Sequence, residues 1–286
     1  MGKLIWLASY PKSGNTWLRA FLHNLLHNAE RSFDINRLTS FCIIDSLAHH
    51  YAHVAGRDGE AAFDASDAAA IARLRPTVHR LFTRASPDNR FVKTHLAFAP
   101  DHDVPTITPD ATAGAIYVLR NPLDVAVSYA HHLGASLDAT IALMAQPGYR
   151  TRASAEWVGE LMGSWSEHVT SWVDAPLPRL HVVRYEDMHA QPIKTFGGIA
   201  AFLGLKQPRE RLERAIRLSS FKVLQEQERR HGFAEKSTAA ASFFREGRAE
   251  AWRRALDDYQ VVAVVGAHRA VMERFGYLPG KQRHAG

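Results

Sequence analysis

The segment Leu4-Ile-Trp-Leu-Ala-Ser-Tyr-Pro-Lys-Ser-Gly-Asn-Thr-Trp17 sets a cation, hydroxyls and a glycine between an apolar run and a helical pattern. A strand, a tight loop and a helix in that order present backbone N–H groups and the positive end of a helix to a phosphate. Lys12 would clamp the charge of such an anion, and Gly14 would let the backbone approach it closely. Ser13, Asn15 and Thr16 would add hydrogen bonds. The loop is not of the kind that holds a metal-bound triphosphate. In the pattern G-x-x-x-x-G-K-[ST], Gly14 and Thr16 match, but Ser9 replaces the first glycine and Asn15 the lysine, the cation having moved to position 12. Lys93 and His95 close a second apolar run, two residues apart, so an extended chain points both the same way. A histidine titrates in the range useful to a general base. One of 16 histidines means little by itself; the place of His95 just beyond a buried strand is what singles it out. Arg120 ends a third run, where a guanidinium can grip a phosphate through two parallel bonds or pair with Asp124.

The elements that must position these residues follow from hydrophobic pattern. Four short apolar runs, Leu4–Ser9, Arg90–Thr94, Ala115–Arg120 and Leu180–Tyr185, read as buried strands, each followed by a loop or helix, the rhythm of a parallel α/β sheet. Trp17, Leu18, Phe21, Leu22, Leu25 and Leu26 are spaced to pack a first helix on that sheet. Asn121 reads as an N-cap with Pro122 at the first helical position, and 154–173 and 250–275 carry helical periodicity. Ligands in open α/β sheets bind beyond the carboxyl ends of the strands. Those ends carry Ser9 to Lys12, Lys93 to His95, Arg120 and Tyr185. Residues 30–89 and 229–244 read as insertions, the second polar enough for a lid over the acceptor site.

Four segments in order resemble the cytosolic-type sulfotransferases that use 3′-phosphoadenosine-5′-phosphosulfate (PAPS). Tyr10-Pro-Lys-Ser-Gly-Asn-Thr-Trp17 is similar to that family's 5′-phosphosulfate loop, and Phe91-Val-Lys-Thr-His-Leu96, Ile116 to Tyr129 and Phe243-Phe-Arg-Glu-Gly-Arg248 follow in the family's order. The resemblance implies one domain over 1–286, an α/β, P-loop-like three-layer fold with a central parallel sheet flanked by helices. It implies in-line transfer of a sulfonyl group from PAPS to a hydroxyl of an alcohol, phenol, sugar or lipid, leaving adenosine 3′,5′-bisphosphate. His95 is then the general base, and Lys12 and Lys93 stabilise the charge. Ser13, Gly14, Asn15 and Thr16 hold the 5′-phosphosulfate, Arg120, Ser128, Arg245 and Gly247 the 3′-phosphate, and Trp17, Tyr185, Ser219 and Phe221 the adenosine. Trp17, Tyr185, Ser219 and Phe221 are equally compatible with the core. One position departs: Glu246 stands where the family has a lysine, which puts one cationic contact in doubt.

Bulk properties bound the alternatives. A chain of 286 residues that is 46% apolar can bury a large core. One cysteine, Cys42, excludes an internal disulfide framework and fits a reducing compartment, so a cytoplasmic protein without a membrane span is expected. The net charge of +6 favours an anionic partner. Scattered rather than striped, it points to a pocket ligand and not to nucleic acid. The rivals are a P-loop kinase of a small metabolite and a non-catalytic nucleotide- or nucleic-acid-binding module. Val182-Val-Arg-Tyr-Glu-Asp187 could imitate a magnesium-binding strand end, though strand-end acids more often cap the next turn. His49, His50 and His53 have zinc-compatible spacing but read as a polar helix face, and no metal is expected. The apolar pattern of 259–265 leaves inward packing or a homodimer open.

Overall fold

The computed structural model describes residues 2–57, 63–84 and 86–280. Its centre is a five-stranded sheet of order β2-β3-β1-β6-β7, with β1 Leu4–Ser9, β2 Ile43–Ile44, β3 Arg90–Thr94, β6 Thr112–Leu119 and β7 Leu180–Arg184. Each neighbouring pair is parallel. A separate antiparallel pair joins β4 Pro100–Asp101 to β5 Val104–Pro105.

Alternation along β1 feeds two cores. Leu4, Trp6 and Ala8 face one, and Leu7 faces the other. Both faces are covered, which is why β1 reads as an unbroken apolar run. The Leu7 face packs on α1 Asn15–Leu26, α2 Leu38–Phe41, α8 Tyr185–Ala190, α9 Pro192–Phe202, α10 Arg209–Leu218 and α11 Phe221–His231. The Trp6 face packs on α3 Ala48–Arg57, α4 Ala68–Arg84, α5 Pro122–Leu133, α6 Leu137–Ala145, α7 Trp165–Val173, α12 Trp252–Ala255 and α13 Asp258–Arg274. The architecture is therefore three-layered α/β with a central parallel sheet. Trp6, fully buried, donates its Nε1–H to Thr112 Oγ1 at 2.9 Å, so the large ring enters the core without an orphaned donor.

Four departures from the sequence pattern bear on the site. Residues 30–89 are more than an insertion, because β2 extends the central sheet beside β3. Strand β6 begins at Thr112, three residues earlier than its apolar run, with a register shift against Leu4 and Ile5. Residues 154–164 are not helical: Trp157 bridges Leu47, Leu161 bridges Arg150, and α7 starts only after Ser164. There Ser164 and Glu167 form a capping box, which fixes the helix start. The helical pattern over 250–275 is broken before Asp257, whose side chain caps α13 in a second such box. In α13 Val264 packs inward while Tyr259 and Val262 are exposed. Among the described residues no helix is long and apolar enough to cross a membrane.

Candidate active site

A cavity of about 620 Å³ lies at the carboxyl ends of β1, β3, β6 and β7, with Lys12, Lys93, His95, Arg120 and Tyr185 in its lining. The loop after β1 builds its floor. Lys12 adopts a left-handed φ of 63° and Gly14 a φ of 107°, two reversals that a β-branched residue would resist. A Cβ on Gly14 would stand 2.7 Å from the Tyr185 ring. Helix α1 has Gly14 at its N-cap position and no side-chain cap, leaving its first N–H groups for a ligand. Asn15 does not turn its amide to that ligand. Its Nδ2 donates to Leu7 O at 2.8 Å and to Ser9 Oγ at 3.3 Å, pinning the loop to its strand. Ser13 Oγ is buried without a partner among the described residues, as are Arg120 Nε and Trp17 Nε1. Buried polar atoms are costly to leave unpaired, and these orphans fit a bound anion carried on a nucleotide.

Lys12 Nζ lies 3.4 Å from the centroid of the Phe243 ring. Burial, aided by the charges of Arg120 and Lys93, lowers its pKa to about 7. Arg120 does not pair with Asp124. Its Nη1 donates to Lys12 O at 2.7 Å, and its guanidinium lies 4.2 Å from the Tyr185 ring centroid. Asp124 instead accepts from the backbone N–H of Glu250 at 2.8 Å and of Trp252 at 3.0 Å, tying α5 to the segment beyond Arg245.

His95 is held from three sides. Its Nδ1 lies 2.7 Å from the Ser9 carbonyl, its own N–H donates to Glu160 Oε1 at 3.2 Å, and its carbonyl lies 3.1 Å from His168 Nε2. A carbonyl can only accept, so Nδ1 carries the proton and Nε2 keeps its lone pair. Burial, then the Lys93 charge, holds the imidazole well below its ordinary pKa, so it is a neutral base. Lys93 donates to Glu235 Oε2 at 3.1 Å. Behind it, fully buried Arg19 grips both oxygens of Glu235 at 2.7 and 2.8 Å. Burial alone would raise the Glu235 pKa, but Arg19 and Lys93 pull it far below the carboxylate range, so it stays ionised.

The side chains behind the two metal readings have protein partners. Glu186 accepts from Asn121 N at 2.9 Å and from the Tyr277 hydroxyl at 2.8 Å, capping the turn after β6. His50 packs edge-on against Phe82. Among the described residues no cluster of three or more metal-ligating side chains occurs.

A sequence profile of the sulfotransferase domain matches residues 3–276. The chain belongs to the sulfotransferase domain family. Sulfotransferase 1A1 of Bos taurus is 27% identical over 223 residues, an alignment covering 76% of this chain and 64% of that protein. The chain thus matches less than two thirds of that relative's length. The crystal structure of mouse sulfotransferase SULT7A1 complexed with PAP superposes with a TM-score of 0.61 at 20% identity, covering 94% of this chain and 84% of that one. Retinol dehydratase in complex with androsterone and inactive cofactor PAP gives 0.64 at 19% identity over 94% and 80%. At these identities the two structures establish the fold.

Within this sulfotransferase domain, Lys12, Gly14, Asn15, Thr16, Trp17, Lys93, His95, Arg120, Ser128, Tyr185, Phe221, Arg245 and Gly247 all line the one cavity. Trp17 also packs 5.5 Å from Phe196 between ring centroids, so it serves core and cavity at once. Ser219 is not brought in. It is fully buried, and its hydroxyl donates to Ala215 O at 2.8 Å, closing the end of α10. Sequence reasoning missed Glu235, which joins residues 142 and 216 positions away and so has no local signal. It missed the role of Asp124 because an acid in a first turn already satisfies the helix dipole. The 229–244 segment is joined to its surroundings by hydrogen bonds: Asn36 Oδ1 accepts from Ala234 N at 2.7 Å, and Glu228 accepts from Phe243 and Phe244 N at 2.6 and 2.8 Å.

Proposed function

We propose that the protein is a PAPS-dependent sulfotransferase acting on a hydroxyl of a small-molecule acceptor. The observation that carries this reading is the convergence of a neutral, oriented His95 with Lys12 and Lys93 on one cavity floored by an anion-binding loop. Ser13, Gly14, the free N–H groups of α1 and Lys12 would hold the 5′-phosphosulfate, and Arg120, Ser128, Arg245 and Gly247 the 3′-phosphate. Trp17, Tyr185 and Phe221 would enclose the adenosine. When bound, PAPS supplies an activated sulfonyl group on a phosphate leaving group. His95 Nε2 takes the acceptor proton as its oxygen attacks. Lys12 and Lys93 face the charge that builds during transfer, and being fixed before the reaction they need no reorganisation then.

The acceptor would enter on the side of Ser46, Tyr129, His132, Thr151, Trp157 and Met162, which line the same cavity as His95. We infer that the chain acts as one domain with 229–244 as a wall of this chamber, and that it works in the cytoplasm, where its one buried thiol, Cys42, stays reduced. The test is calorimetric titration with adenosine 3′,5′-bisphosphate beside AMP and ATP·Mg, with EDTA in the first two. Tight binding that is lost without the 3′-phosphate supports the donor site, whereas tight ATP·Mg binding indifferent to that phosphate refutes it. His95→Ala should then slow transfer to a hydroxyl acceptor found by screening with PAPS by ~10²–10⁴-fold.

A further inference from the structure

Glu246 is the residue the proposed donor site does not absorb. A carboxylate beside a phosphate is repulsive, yet it sits in the four-residue run Arg245 to Arg248 that lines the cavity together with Ser128 and Arg120. Its surroundings resolve the conflict. Arg248 Nε donates to Glu246 Oε2 at 2.7 Å, and Arg248 Nη2 lies 2.5 Å from the same oxygen. Arg245 Nη1 stands 3.7 Å from Oε1, and Arg254 Nη2 3.9 Å from Oε2. Three guanidiniums thus surround one carboxylate, leaving two net positive charges at the edge of the cavity.

The backbone fixes the turn that carries Glu246 and Arg248. Gly247 adopts φ 58°, and a Cβ there would lie 2.1 Å from the Phe221 ring, so the turn is locked against that aromatic wall. Its flanking residues, 246 and 248, are therefore held at the cavity edge. Asp124 secures the far side through Glu250 and Trp252 N–H. Arg248 spends Nε and Nη2 on Glu246 and keeps Nη1 with two N–H donors.

We propose that Arg248, oriented by Glu246, supplies the second cationic contact to the donor's 3′-phosphate, in place of a cation at position 246. Glu246 is on this view a positioning residue, its carboxylate directing a planar fork that would otherwise turn to solvent. A guanidinium so held meets a phosphate in a fixed orientation, which a free lysine does not. The inference rests on the donor reading above, and its failure is separable from that one.

The experiment compares adenosine 3′,5′-bisphosphate with AMP by competition calorimetry in the wild type, R248A, R248K and the double variant E246K/R248A. R248A should weaken the bisphosphate about tenfold, the loss of one charge-assisted hydrogen bond, while AMP affinity stays unchanged. R248K should recover part of the loss. E246K/R248A should recover most of it, because it returns a cation to position 246 and removes the acid. If R248A keeps the wild-type preference for the bisphosphate, the assignment of Arg248 is wrong while the donor site stands. If R248A weakens both ligands equally, Arg248 supports the fold of the segment and not the phosphate, and the assignment is again wrong. A wild type that does not distinguish the two ligands overturns the donor reading itself.

Discussion

Replacing Lys12 by arginine should abolish a pH dependence that donor binding otherwise shows near neutrality. Burial, and the neighbouring charges of Arg120 and Lys93, lower the Lys12 pKa from 10.5 to about 7. The free site therefore loses this proton as pH rises through about 7. An anion placed on the lysine favours its charged form, so the bound complex keeps the proton to higher pH. The sign follows: the protonated enzyme binds better, affinity is level below about pH 7 and falls above it. With a bound-state pKa above the range studied, the dissociation constant of adenosine 3′,5′-bisphosphate should rise ~50-fold between about pH 7 and about pH 9, which is ~2.3 kcal/mol at about 1.36 kcal/mol per unit.

The ligand's phosphates, whose second ionisation lies at about pH 6, are nearly fully charged over that interval, and their residual ionisation would strengthen binding with pH, opposite to the expected slope. Isothermal calorimetry in two buffers of different ionisation enthalpy would also read proton uptake directly, close to one proton per ligand at the upper end. Lys12→Arg stays charged throughout and should bind with a flat profile. Lys12→Met should bind weakly and also flatly. A wild-type affinity constant within about twofold over the interval, or an undiminished slope in the arginine variant, would refute the assignment of the titration to Lys12.

Gly247→Ala should cost most of the donor affinity, because its φ of 58° and the 2.1 Å approach of a new Cβ to Phe221 cannot both be kept; titration with the bisphosphate reads it. Glu235→Gln leaves fully buried Arg19 without its counter-ion and should destabilise the fold by ~3–5 kcal/mol, seen as a lowered midpoint in urea. His95→Ala should lower kcat by ~10²–10⁴-fold while leaving bisphosphate affinity unchanged. In the wild type the acid limb of kcat should fall well below the ordinary histidine pKa of 6.5, since burial and Lys93 already hold His95 neutral there; an inflection near 6.5 would count against it.

What could be read in the sequence divides by the range of the forces involved. The loop from Ser9 to Thr16 was legible because its anion-binding geometry is set by contiguous residues: an apolar strand, Pro11 and Gly14, then a helix with no side-chain cap. Lys93, His95 and Arg120 were legible for the same reason, each lying at the end of an apolar run that had to be a strand. The two-residue strand β2 has no pattern of its own and exists only because β3 offers it an edge. The false helix over 154–164 shows periodicity overruled by backbone pairing, while the Ser164–Glu167 capping signal three residues apart marked the true start. Ser219 matched by motif yet faces its own helix end, since a hydroxyl two residues from the cavity wall satisfies a carbonyl more cheaply than it reaches a ligand. Glu235 belongs to the opposite class. In sequence it is one acid in a polar stretch, and only folding sets it between Arg19 and Lys93, where the two cations would otherwise repel each other and Lys93 would lack the carboxylate that fixes it. Local pattern thus locates the polar groups at the strand ends, but the carboxylate that holds Lys93 and Arg19 lies 142 and 216 positions away and meets them only once the chain is folded.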